Sequence, residues 1–137
     1  MNSLYPEVSR RAGRRCEYCH APESVFNFRF EVEHILPSAD GGSDDLPNLC
    51  LACRACNSFK GAFTHGIDSE SGETVSLFHP RRDGWEEHFV FNAATFEIHG
   101  LTPVGRATVE RLRFNDIFQL EARPRWMALN LFPDHQE

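Results

Sequence analysis

Two Cys-x-x-Cys pairs, Cys16/Cys19 and Cys53/Cys56, constrain this chain more than any other feature. Each pair spaces its sulfurs for a tight backbone knuckle, and two such pairs far apart in sequence match the tetrahedral four-sulfur site of a structural zinc ion. Cys50 repeats the spacing in CLACRAC, so Cys50/Cys53 is a formal alternative to Cys53/Cys56. Between Leu49 and Leu51 it occupies the place of a small apolar strand residue, and buried free cysteine packs well as one; it is left outside the site. Disulfides would be the competing use of these sulfurs. The N-terminal MNSLYPEVSRRAGRR lacks the apolar core of a secretory signal, which predicts a cytoplasmic chain in which paired cysteines bind metal rather than cross-link.

A length of 137 residues predicts one domain. Within it, residues 1–65 form the zinc-stabilised core and residues 66–137 a hairpin and helical extension packed on it. No apolar run approaches the roughly 18 to 20 residues of a membrane span. The formal charge of −6 argues against a protein that grips nucleic acid indiscriminately, since such affinity comes from neutralising phosphates. Net charge averages over faces, however, and the basic residues cluster: Arg10, Arg11, Arg14 and Arg15, then Arg81 and Arg82, then Arg106 to Arg125. Arginine's planar fork suits phosphate oxygens.

From Pro6 the chain reads as a short helix with Val8 and Ala12 on one face and Gly13 at its end. The first knuckle, RRCEYCH, follows; His20 is a possible replacement ligand, although four well-spaced cysteines favour a surface or supporting place for it. In FNFRFEVEHI, Phe26, Phe28, Phe30 and Val32 share one face and Asn27, Arg29, Glu31 and Glu33 the other, the alternation of a half-buried strand. If it continued, His34 would point to the apolar side, so a bulge or the strand end is expected to turn it outward near Pro37. SADGGSDDLPN is a glycine loop, LCLA a second strand, and RACNSFKGAF a helix beginning at Cys53 or Arg54. Residues 62 to 80 suggest a loop that packs Leu77 and Phe78 back onto the body. HFVFN and FEIHG suggest a hairpin, and Thr102 with Pro103 starts a helix carrying Val109 and Leu112. A last helix is expected from Asn115, with Ile117 and Leu120 inward, a kink or restart at Pro124, and Trp126, Met127 and Leu129 closing the core.

The order C16-x-x-C19, E33-H34-I35-x-P37, G41-G42, N48-L49, C53-x-x-C56-N57, K60-G61 resembles the HNH endonucleases. It covers about the first half of the chain, and the tail resembles an extension found on many bacterial members. The resemblance implies an α+β fold: a ββα-metal, treble-clef-like core with a four-cysteine zinc site, plus a C-terminal β-hairpin and helices. It implies hydrolysis of DNA phosphodiester bonds, with His34 as general base. Glu33 and Asn57 would hold a catalytic Mg2+ or Mn2+, and Asn48 would tie the loop beside the histidine-bearing strand. Many members have aspartate where this chain has Glu33. Arg54 and Lys60 could reach phosphates from the helix or stand as solvated charges. The alternative is a catalytically silent zinc-stabilised module that binds nucleic acid or protein. RNA stays open as a substrate, as does oligomeric state.

Overall fold

The computed structural model describes residues 2–134. The described chain runs α1 (Tyr5–Arg11), β1 (Glu31–His34), β2 (Leu49–Ala52), α2 (Arg54–Lys60), β3 (His65–Ile67), β4 (Thr74–Ser76), α3 (Trp85–His88), β5 (Phe89–Asn92), β6 (Glu97–Gly100), α4 (Pro103–Arg111) and α5 (Ile117–Ala128), with three short 3-10 turns. Its strands form three antiparallel pairs, β1 with β2, β3 with β4 and β5 with β6.

α1 starts with Pro6 in its first turn, buries Val8 against the β1–β2 hairpin, and gives way to Gly13 in the left-handed region at φ 65°. β1 and β2 pair without a bulge from Glu31↔Ala52 to His34↔Leu49. Every residue of β2 is buried, so its Leu-Cys-Leu-Ala run fills the centre of the core from both faces. α2 follows at once, capped by the Cys53 sulfur, which accepts from the Cys56 N–H. Strand, strand and helix are thus consecutive, giving the ββα order expected above.

Several expectations are overturned here. β1 begins only at Glu31; Phe30 is buried and Phe26 partly so, but Phe28 is 39% exposed, and residues 26 to 30 form no strand. The face alternation also inverts, because Glu33 is buried while Val32 and His34 are only half-buried. The β1–β2 register therefore presents His34 outward with no bulge. The polar stretch 62–80 contains the β3–β4 ladder, whose alternation is muted because each strand buries little.

In α5 the inward residues are Gln119, Arg123 and Trp126, four and three apart, whereas Ile117 is 58% exposed and Leu129, just past its end, 62%. The helix runs through Pro124 unbroken. An interior proline costs about 3 kcal/mol, and the buried Arg123 and Trp126 on either side of it hold both halves against the body. Thr102 caps α4 as expected, its Oγ1 accepting from Gly105 N at 3.0 Å.

α4 is tied to the turn between β3 and β4 by a two-pronged contact: Arg106 Nε stands 2.7 Å from Asp68 Oδ1 and Nη2 3.2 Å from Oδ2. The Arg106 guanidinium, with Ser71 Oγ assisting, holds the Asp68 carboxyl well below its ordinary pKa of 3.8. A depressed carboxylate pKa gives stability that is complete above the unfolded value and is lost as the pH falls toward the folded one. Asp68→Asn should therefore lower the melting temperature at neutral pH and flatten the acid limb below about pH 4. Circular dichroism melts of both proteins between neutral and acid pH check this; superimposable acid limbs would contradict it.

Candidate functional site

The two knuckles are closed by their own backbone. Cys19 N donates to Cys16 Sγ at 3.5 Å and Cys56 N to Cys53 Sγ at 3.4 Å. All four cysteines are buried, their sulfurs lie within 4.8 Å of one another, and Cys19 and Cys53 approach to 3.7 Å. Sulfurs at tetrahedral corners about 2.3 Å from a zinc ion would stand about 3.8 Å apart, so the cage fits that ion. Cys50 is not in the group; its Sγ lies 3.5 Å from Glu33 Oε2 on the other side of the hairpin. The Cys50/Cys53 pairing is thereby excluded. His20 is no ligand either: its ring stacks on Trp85 at 4.1 Å.

α5 reaches this cage. Gln119 Nε2 approaches Cys19 Sγ at 3.8 Å. Arg123 is fully enclosed and donates to Phe96 O at 2.8 Å, Asn115 Oδ1 at 3.2 Å and Phe114 O. Burial pushes the Cys16 and Cys56 thiols up, whereas hydrogen bonds from the other three cysteines pull Cys19 well down, with the Arg123 charge adding to the effect. Four thiolates around Zn2+ carry a net charge of about −2 and leave no position for water. Such a site can only hold structure, and a buried guanidinium beside it offsets part of its charge.

The second focus is the end of β1. Ile35 N donates to Asn48 O at 2.8 Å. The Asn48 amide fastens the loop: Oδ1 accepts from Leu36 N at 2.9 Å, and Nδ2 donates to Leu36 O at 3.0 Å and Ser43 O at 2.8 Å. Gly42 is needed in this turn because a Cβ there would stand 1.8 Å from Leu36 O. The fastened loop delivers Asp44, whose Oδ1 lies 2.7 Å from His34 Nε2. Asp44 went unnoticed in the sequence, where it is one of several acidic loop residues and nothing local links it to a strand ten positions earlier.

Glu33 turns the other way, toward α2. Its Oε1 stands 3.1 Å from Lys60 Nζ in an ion pair with 6% and 2% of the side chains exposed. The approach is a charge contact rather than a hydrogen bond, since Oε1 has no hydrogen-bond partner and Lys60 donates instead to Ile35 O at 3.2 Å. Burial pushes the Glu33 carboxyl up, against the pull of Lys60. Lys60 is therefore neither a solvated helix charge nor a free surface cation, as the sequence suggested. Asn57 lies one turn earlier on α2, half-buried, its side chain making no hydrogen bond among the described residues. Arg54, at the start of α2, is exposed and lies over the Phe28 ring at 4.6 Å. No hydrogen bond or ion pair joins His34, Glu33 and Asn57 directly; the strand end and α2 frame them from two sides.

A family model described as HNH endonuclease matches residues 16–63, which span both knuckles, the β1–β2 hairpin and α2. This segment belongs to the HNH endonuclease family. No curated protein and no solved structure matches the chain. The HNH segment has the ββα-metal order of its family, and its four clustered cysteines are compatible with a zinc site.

Structural zinc sites bring about 10 to 16 kcal/mol of binding free energy into folding. Stripping zinc with a strong chelator should unfold the HNH segment, whereas removing magnesium alone should leave it folded. Arg123→Met should release zinc at chelator concentrations that leave the parent loaded, because the sulfur cage loses a buried positive charge that acts on its cysteines. Zinc content and circular dichroism check both; identical melting curves with and without zinc would contradict the first.

Proposed function

We propose that this chain is a divalent-metal-dependent endonuclease that hydrolyses DNA phosphodiester bonds where the end of β1, the fastened loop and α2 meet. The observation that carries this is His34: it leaves the hairpin half-exposed, with Nε2 engaged by Asp44 at 2.7 Å, beside a loop pinned by Asn48. A binding module has no use for a histidine oriented in this way.

With Nε2–H donated to the Asp44 carboxylate, Nδ1 is the basic nitrogen. It takes a proton from water as the oxygen attacks phosphorus; the bond to the 3′ oxygen breaks and that oxygen gains a proton, leaving 5′-phosphate and 3′-hydroxyl ends. Asp44 is a positioning residue that sets the tautomer and orientation of His34. Asn48 acts one step further back, by holding the loop that carries Asp44.

Glu33 and Asn57 are the oxygen donors suited to Mg2+ or Mn2+. Glu33 Oε1 is enclosed without a hydrogen bond, and Asn57 lies one turn from the lysine that faces it. An ion held there would supply positive charge to the phosphate and the leaving oxygen. For Glu33 to take it, Lys60 has to yield Oε1. The extension 66–137 belongs to the same folding unit in this reading, since α5 supports the cysteine cage.

One observation favours a second reading, a zinc-stabilised binding module without turnover: the Glu33 carboxylate is enclosed and already paired with Lys60. Nicking of supercoiled plasmid in magnesium or manganese separates the two. His34→Ala should lose about 10²- to 10⁴-fold in rate, the range typical of a general base. Asp44→Ala should lose less, roughly 10- to 100-fold, with an unchanged melting temperature. Gly42→Ala should impair nicking as Asp44→Ala does, by displacing the loop. Equal nicking by parent and His34→Ala would remove the assignment, and an RNA strand run in parallel fixes the substrate.

A further inference from the structure

Most arginines whose contacts are resolved answer an acidic group or a carbonyl. Arg14 stands 3.5 Å from Glu23 and Arg15 3.3 Å from Asp134, while Arg81 meets Glu17 and Arg106 meets Asp68. Arg54, Arg111 and Arg113 do not. Among the described residues each lies over an aromatic ring instead: Arg54 over Phe28 at 4.6 Å, Arg111 over Phe63 at 4.3 Å and Arg113 over Phe59 at 4.7 Å. No carboxylate lies within ion-pair distance of any of them among those residues, although the chain has 20 acidic residues against 14 basic ones.

The three gather around one element. Arg54 opens α2, Phe59 lies in its last turn and Phe63 just beyond it, so the two arginines at and just past the end of α4 stand at the C-terminal end of the helix that carries Asn57, with Arg54 at its start. Stacking uses the flat face of a guanidinium and leaves the N–H groups on its edge free to donate outward. It also fixes the long side chain in advance, so that little rotamer freedom is lost when an anion arrives. Arg54 and Arg113 are exposed and Phe63 is 52% exposed, whereas Arg111 is half-buried with its Nε enclosed and unpartnered, so that only its terminal nitrogens are placed to donate outward.

We infer that Arg54, Arg111 and Arg113 form a phosphate-tracking strip for duplex DNA, extending the contact surface from α2 onto the C-terminal part of the chain. This rests on the nuclease reading. A seven-residue helix is about 10 Å long, and one DNA strand carries a phosphate about every 3.4 Å of axis, so a strand lying along α2 passes about three phosphates. Three carboxylate-free guanidiniums match that number. The strip also answers the objection raised by the acidic net charge, because affinity depends on the charge along the contact and not on the sum over the chain.

The test is fluorescence anisotropy of a labelled duplex of about 20 base pairs, titrated with zinc-loaded His34→Ala protein over a range of salt concentrations. Each phosphate contact adds about 0.9 to the slope of log affinity against log salt, so each single Arg→Gln variant should reduce the slope by about 0.9 and the triple variant by about 2.7. Arg125→Gln, on an exposed face of α5, should leave it unchanged. Zinc content and melting temperature confirm that each variant is folded. A triple variant that keeps the parental slope overturns the strip while leaving the nuclease reading intact, since the parent still binds and wild-type protein still nicks. A parent that binds no duplex at any salt, together with no nicking, overturns both.

Discussion

Four sulfur atoms within 4.8 Å of one another are the constraint on which the rest depends. The first pair lies between α1 and the start of the hairpin and the second at the first turn of α2, so an ion bound there would join segments otherwise linked by short strands. Each two-stranded ladder in this protein is three or four residues long. Isolated ladders of that length are marginal in water. Caging a cation would do for this small domain what a wide sheet does for a larger one.

Consecutive residues on β1 face opposite ways. Glu33 turns in toward Lys60 and Cys50, and His34 turns out toward Asp44. A strand's period of two imposes this separation. The inward carboxylate is raised toward its neutral form by burial and charged by its lysine partner, while the outward imidazole keeps access to water. The loop between β1 and β2, fastened by one asparagine amide and made possible by Gly42, decides where Asp44 sits.

The cysteine cage, the ββα order and the capped α4 were legible because their signals are local: fixed spacings, a Thr-Pro start, an apolar run between turns. The inward face of β1 was not. The alternating phenylalanines from Phe26 to Phe30 lie before the strand rather than in it, so extending their pattern placed Glu33 on the wrong side. α5 misled for a related reason: its apolar Ile117 and Leu129 face out because the helix buries Arg123 and Gln119 against sulfur and carbonyl groups, and hydrophobic pattern carries no information about that. The Lys60–Glu33 pair and the Asp44–His34 contact join positions 27 and 10 apart, and only the folded backbone relates them.

Synthesis proceeds from the N-terminus, and this gives the enclosed Arg123 a further meaning. By the time the second cysteine pair leaves the ribosome, all four ligands are available to capture metal. The guanidinium that balances their charge belongs to a helix made some seventy residues later. A nascent chain that took up zinc at that stage would hold it in an anionic, incompletely covered cage until α5 arrived to cover it.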